Sequence, residues 1–183
     1  MLKQLIFAFT ILFSLSSLAN IVVDPTKSVI NWKGKKVTGE HVGTVKVKSG
    51  NFDLKKQKAT VVVDMTSIDV TDLKGEWKGK LMNHLRSDDF FSVDKHKEAK
   101  LVLDKMINAG KDKYNVSGKL TIKGKTQPVK FEVVEKSGTY EGELTFDRTK
   151  FDVKYKSGKF FENLGDKLIY DDVKLNFKIA AKK

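Results

Sequence analysis

The sequence predicts a mainly-β (all-β) chain, an antiparallel barrel of about eight strands with one amphipathic helix inserted near its middle. Three observations predict it. Apolar and charged residues alternate over most of the chain, turn signals recur about every ten residues, and a single segment switches to a helical period. Closing the sheet removes exposed strand edges. A two-sheet sandwich shows the same alternation, and periodicity alone does not separate the two.

Residues 1–19 read as a cleavable export segment that precedes the fold. Lys3 gives a positive start, Leu5 to Phe13 is apolar apart from Thr10, and Ser17 and Ala19 place small residues at −3 and −1 of a cut before Asn20. The apolar run is shorter than the ~20 residues that span a bilayer, and its flanks favour cleavage over a retained anchor. No cysteine follows the cut, which excludes a lipid-modified cysteine. The expected mature chain, residues 20–183, keeps 164 of the 183 residues as a single domain, periplasmic or secreted. Cleavage removes one lysine and no acid, so the formal charge falls from +12 to +11. With no cysteine in the chain, thiol chemistry and cysteine-based metal sites are out.

The strands follow in order. Ile21–Asp24 is a short extended piece ended by Pro25, and Val29–Trp32 leads into Lys33-Gly34, read as a hairpin turn. Val37–Lys48 carries Val42, Val45 and Val47, with Gly39 and Gly43 as bends or bulges. Ser49-Gly50-Asn51 signals a turn before the alternating Phe52 and Leu54. Ala59–Met65 is the most β-branched run and is expected to be the most buried early strand.

From Thr71 to Arg86 the period changes. Leu73, Trp77, Leu81 and Leu85 fall within an arc of about 120° on a helical wheel. Asp72 is the expected N-cap, Glu76 and Lys80 form an i,i+4 pair, and Arg86 suits the helix C-terminus. Gly75 and Gly79 each weaken the helix by ~1 kcal/mol relative to Ala, so its stability must come from docking its apolar stripe. His84 returns to about 20° from Leu73 and so belongs to the docking face.

The strand rhythm then resumes. Leu101 and Leu103 alternate, residues 108–112 turn, and Tyr114, Val116, Leu120 and Ile122 line one face. Lys123-Gly124 and Ser137-Gly138 mark further turns around Val129, Phe131 and Val133. Tyr140–Phe146 and an alternating Phe151, Val153 and Tyr155 follow, then Ser157–Ile169, an ambiguous segment in which a helical turn at Phe160–Leu164 closed by Gly165 is one option. Val173, Leu175, Phe177 and Ile179 face one way along the last strand.

Three segments resemble the YceI-like family of exported bacterial proteins. His84-Leu85-Arg86-Ser87-Asp88-Asp89-Phe90-Phe91 matches its His-Leu-x-Ser-x-Asp-Phe-Phe motif at every fixed position. Gly118–Val129 is similar to its Gly-x-Leu-Thr-Ile-x-Gly-x-Thr-x-Pro-Val pair of strands. Asp147–Asp152 is similar to its Asn-Arg-x-x-Phe-Gly segment, departing at Asp147 and Asp152. His41 sits roughly where the family has an early histidine, and His96–Leu101 departs from the usual Tyr-Pro and Ala-x-Phe pattern. The resemblance implies a lipocalin-like antiparallel barrel that holds a polyisoprenoid chain, as a non-catalytic carrier or store. It implies no cofactor beyond a bound isoprenoid lipid or isoprenoid quinone.

If the barrel holds, the inward, lipid-binding candidates are Trp32, Val45, Val47, Leu85, Phe90, Phe91, Phe131, Phe146, Phe151 and Phe177. The competing reading is that they simply fill a core. Three histidines without HxH or HExxH spacing point away from a metal site. His84 is expected to be structural, with Ser87, Asp88 and Asp89 capping the turn into Phe90-Phe91. No motif pairs these groups for acid–base work, so no catalytic residue is expected.

Of the 35 basic residues only Arg86 and Arg148 are arginine, and the lysines fall at alternate strand positions. That is a solvated sheet face rather than a nucleic-acid surface. The expected partners are a long-chain isoprenoid lipid, an anionic membrane surface and a second copy of the chain as a homodimer. An alternative is a basic-surfaced exported interaction protein with a filled core and no resident ligand.

Overall fold

The computed structural model describes residues 20–182 apart from Leu54 and Gln57. The expected export segment, residues 1–19, and Leu54 therefore lie outside the described residues. Among these residues nine strands form: β1 (Ile21–Val22), β2 (Val29–Lys36), β3 (Gly39–Asp53), β4 (Lys58–Val70) and, after the helix α1 (Gly75–Arg86), β5 (Glu98–Gly110). The remaining four are β6 (Lys113–Ile122), β7 (Lys125–Lys136), β8 (Thr139–Asp147) and β9 (Ile169–Ala180).

Every pairing is antiparallel. β2 pairs with β9, each strand from β9 back to β4 pairs with its predecessor, and β4 pairs with β3, which returns to β2. The sheet is thus a closed eight-stranded barrel, with β1 attached to the far end of β3. Alternation points Val173, Leu175, Phe177 and Ile179 inward from β9 and sends Lys178 into solvent. β3 can serve both neighbours because it is 15 residues long and breaks its register with β4 between Thr44 and Lys46 and again between Val47 and Ser49.

The two ends of the barrel are closed differently. At one end β1 lies on β3, Val23 bridges to Ala181, and Ser28 Oγ donates to the Asp24 carbonyl while accepting from Ala180 N. Val23 is almost fully buried there, part of a plug made by the first turn among the described residues. The other end carries the β2–β3 and β6–β7 turns, α1, and the long connection between β8 and β9.

Several sequence expectations change here. Lys33-Gly34 is in the middle of β2, and the turn comes at Val37-Thr38, where Gly39 has φ 143°. Ser49-Gly50-Asn51 does not turn; β3 runs through it with a bulge. Lys123-Gly124 and Ser137-Gly138 are two-residue hairpin loops with positive φ at both positions, as the twist of paired strands requires. Phe151, Val153 and Tyr155 form no strand. Asp147 accepts from the Thr149 amide and starts a one-turn helix, Arg148–Phe151, ended by Asp152 at φ 62°. Phe160 ends a turn, Phe161–Leu164 is irregular with a bend at Glu162-Asn163, and Gly165 opens a helical turn (Gly165–Lys167) rather than closing one.

The helix begins at Gly75 with Lys74 at the cap position, later than the Asp72 cap predicts. Asp72 is used elsewhere: it accepts from the Val42 amide and pairs with His41 Nδ1 at 2.8 Å. Leu85 is buried and Leu73, Leu81 and Met82 pack on the core, but Trp77 is 70% exposed. Only the C-terminal half of α1 is docked. The Glu76–Lys80 pair forms, at 2.7 Å. Among the described residues no helix is long and apolar enough to cross a membrane.

Candidate functional site: an apolar lumen under the helix

The barrel is not filled. A cavity of about 160 Å³ lies beneath α1, and a second of about 80 Å³ lies deeper, toward the β1 plug. Both are bounded by Ile30, Val63, Ala99, Leu120 and Leu175, so they are two lobes of one lumen. The walls of both are almost wholly apolar. The upper lobe reaches the surface past Lys35, Lys36, Ile169 and the half-exposed Tyr170.

Trp32, Val45, Leu85, Phe90, Phe91 and Phe146 line the upper lobe. Phe131 and Phe177 line the lower one, ring edge to ring face at 5.6 Å. Val47 and Phe151 are buried but do not line the lumen. Phe151 packs edge-on against Phe146 from outside the lobe at 5.4 Å. The lower lobe is floored by stacked Phe52 and Tyr140, 5.0 Å apart. Burial pushes the Tyr140 phenol up, with Glu135 adding to it.

Two glycines let aromatic rings lie flat on the sheet. A Cβ at Gly43 would stand 2.5 Å from the Trp32 ring and 1.9 Å from the Asp69 carbonyl, which Trp32 Nε1 reaches at 3.1 Å. A Cβ at Gly142 would meet the Phe177 ring at 2.7 Å. Bare backbone at these two positions lets a lumen-side ring cover it.

His84 is the polar group of the upper lobe that stands out. Its ring lies edge-on to Tyr155 at 4.4 Å and to Phe90 at 5.5 Å, and its buried Nε2 has no hydrogen-bond partner. Burial holds its pKa below the usual imidazole range; Asp89 opposes this and Lys156 adds to it. The neutral ring is therefore favoured near neutral pH. The turn after it is built as expected from Ser87, whose Oγ donates to the His84 carbonyl, and from Asp88, which accepts from Ser92 Oγ and pairs with Lys95.

Sequence reasoning missed Arg148. It is 1% exposed, and its guanidinium donates to the carbonyls of Val153 (2.8 Å), Ile169 (3.0 Å) and Tyr170 (3.2 Å). Asp171 Oδ1, itself buried without a hydrogen bond, lies 3.4 Å from Nη2. Burial pulls the Arg148 pKa down, opposed by Asp171 and Asp147. Burial would raise Asp147, but bonds from Lys159 and Thr149 outweigh it and hold the carboxyl below its usual range. Arg148 thus ties both ends of the long β8–β9 connection to the rim beside Phe90, whose ring it overlies at 5.7 Å. The signal was its rarity: a planar fork serves three carbonyls at once, which a lysine does not.

Known proteins share this architecture. BcnA of Burkholderia cenocepacia is 27% identical, with a TM-score of 0.67 over 87% of this chain and 99% of that one. A structure described as a polyisoprenoid-binding domain from Saccharophagus degradans, implicated in plant cell wall breakdown, superposes with a TM-score of 0.65 over 90% of this chain and 98% of that one. At 15% identity it shows likeness of fold. A UPF0312 protein of Vibrio parahaemolyticus is 34% identical over 89 residues, which are 46% of this chain and 44% of that protein. The chain thus spans about half the length of the curated relatives it matches. The sequence profile of the YceI-like domain matches residues 22–181, nearly the whole barrel from β1 to the bridge at Ala181, and the chain belongs to that family.

Proposed function

We propose that the protein is a non-catalytic, exported lipid binder that holds a long isoprenoid-type molecule in the barrel lumen, acting as a carrier or store in the periplasm or outside the cell. The observation that carries this reading is the two-lobed apolar lumen, open at the helix end and plugged at the other. Such a space favours a hydrocarbon chain over a polar substrate. The BcnA-like fold and the binding described for the Saccharophagus domain support the same reading.

Lumen size constrains how such a ligand fits. The upper lobe matches the ~150 Å³ of an engineered apolar cavity that holds one benzene, so the present walls admit about one isoprene-sized unit there. A long chain therefore threads both lobes by moving wall side chains, and Leu81, Leu85 and Phe91 on the half-docked cap yield first. The unpartnered Nε2 of His84 suits an oxygen at one end of the ligand, a hydroxyl or quinone carbonyl, held just below the cap.

Native mass spectrometry of the mature protein, expressed with its export segment and purified without detergent, tests this. The expected spectrum carries an added mass that extracts into organic solvent and shows an isoprenoid fragmentation series. Protein that arrives consistently without added mass, and binds neither geranylgeraniol nor a short-chain ubiquinone, overturns the reading.

A further inference from the structure

Eight large apolar residues are strongly exposed among the described residues, and five of them, Val37, Trp77, Phe160, Phe161 and Tyr170, lie on segments at the helix end of the barrel. They come from four different parts of the chain: the β2–β3 turn, α1, the β8–β9 connection and the start of β9. The topology gathers them around one opening. His84 against Tyr155 ties α1 to the β8–β9 connection, and Val37 N donates to the Leu168 carbonyl, tying that connection to the β2–β3 turn.

The apolar path is continuous from inside to outside. Leu85 and Leu81 line the upper lobe, and Trp77, one turn further toward the helix N-terminus, continues the same stripe into solvent. A stripe that ends in an exposed tryptophan has an apolar surface left to cover.

Lysines interleave with these rings. Lys80 lies 4.8 Å over the Trp77 ring, Lys154 lies 5.3 Å over Phe160, and Lys156 lies 5.0 Å over Tyr155. Lys80 and Lys154 are also paired with Glu76 and Asp152. Lys35 and Lys36, at the mouth itself, and Lys156, whose carbonyl accepts from the amide of the mouth residue Ile169, have no carboxylate within 4.0 Å among the described residues. The β8–β9 connection carries Arg148, Lys150, Lys154, Lys156, Lys159 and Lys167 against Asp152, Glu162 and Asp166, and Lys35 and Lys36 add to that basic excess at the mouth.

We propose that the helix end is a peripheral membrane-docking face, which seats the lumen mouth on an anionic bilayer so that ligand passes between lipid and barrel without crossing water. Exposed Trp, Tyr and Phe suit the headgroup boundary, and lysines beside them reach lipid phosphates while their alkyl stems stay on the apolar patch. Each unpartnered lysine near an anionic surface strengthens binding about fivefold at low salt. This rests on the reading of the lumen as a lipid site, but docking is measured without any ligand.

The test is co-sedimentation of the mature protein with phosphatidylcholine vesicles, with and without phosphatidylglycerol, at low and high salt. Binding is expected to need the anionic lipid and to weaken with salt. The triple substitution Trp77→Ser, Phe160→Ser, Phe161→Ser is expected to weaken it by at least about tenfold. Lys35→Gln, Lys36→Gln, Lys156→Gln should lower it by about a hundredfold at about fivefold each. Ile107→Ser, exposed near the opposite end, should change nothing. Circular dichroism melts establish that each variant is folded, and the serine variant should still bind geranylgeraniol delivered from ethanol.

Failure of the wild type to bind anionic vesicles, or equal loss in Ile107→Ser, overturns the proposal. So does sedimentation velocity showing that Trp77 and Phe160 hold together a dimer, with no vesicle binding. If vesicles bind and no isoprenoid ever does, docking stands and the lumen reading falls. If isoprenoid binds and vesicles do not, the reverse holds.

Discussion

Replacing Arg148 by Met should be the most damaging single change at the rim. The side chain volumes are close, so the cost is electrical. The substitution strips donors from the carbonyls of Val153, Ile169 and Tyr170 and leaves Asp171 beside Lys159 alone, at 3.3 Å. Hydrogen bonds from a charged donor contribute about 1.5–3 kcal/mol each. Water reaches the carbonyls next to half-exposed Tyr170 and recovers part of that. Breaking one side of a buried charged cluster costs about 3–5 kcal/mol, and we expect a loss in that range. For a chain of this size it corresponds to a fall in Tm of roughly 6–20 °C, at about 2–4 °C per kcal/mol. Urea unfolding followed by circular dichroism gives the number. The double substitution Arg148→Met, Asp171→Leu should lose less than Arg148→Met alone, because the stranded carboxylate is gone. A single-substitution cost under about 1 kcal/mol, or strictly additive costs in the double, would refute the reasoning.

Other outcomes follow from the same geometry. Gly43→Ala should cost about 3 kcal/mol by urea melt and shift Trp32 emission, since the new methyl collides with Asp69 backbone and the indole; Gly34→Ala, with open space around it, should be within about 0.5 kcal/mol of wild type. Ala99→Phe places a ring where the two lobes join, so geranylgeraniol titrations should show binding weakened at least about tenfold, with stability lowered by no more than about 1–3 kcal/mol. For His84 the folded pKa is depressed, so the unfolded chain takes up its proton first as pH falls. Stability is then full above about pH 6.5, declines as pH drops through that value and levels off below the folded pKa. His84→Phe should flatten the slope of urea stability between about pH 7 and 5; an unchanged slope would show that the proton goes elsewhere.

What could be read from the sequence was whatever depends on near neighbours. Alternation placed the long inward faces of β6 and β9 because strand pleat is local, and Lys123-Gly124 marked a hairpin, although the same pair at Lys33-Gly34 runs on inside β2. What failed was set by distant partners. Asp72 is a good N-cap by composition, yet His41 and the Val42 amide, about thirty residues away in sequence, take its carboxylate. Phe151, Val153 and Tyr155 alternate like a strand, but Arg148 gathers the carbonyl of Val153 with those of Ile169 and Tyr170 and curls the segment over the rim. The lumen-side Trp32, Val45, Phe131 and Phe177 were legible as inward. No pattern in their spacing says that space is left between them, since cavity volume is a property of the whole ring of strands. Trp77 fits the wheel perfectly and still faces water, because a wheel gives direction and not how far the partner extends.

The half-docked helix has a consequence for time rather than affinity. In a closed sheet no strand peels off alone, so amide exchange in β5–β9 should proceed only through global unfolding. The cap is another cooperative unit. It is held by Leu85, Leu81 and a few polar ties such as Arg86 to the Thr66 carbonyl and Lys78 to Asp69. Amides of Trp77–Met82 should therefore exchange through a cheaper local opening. Residence time of anything in the lumen would follow that opening and not the melting temperature of the barrel. A very stable container can in this way still release its content quickly.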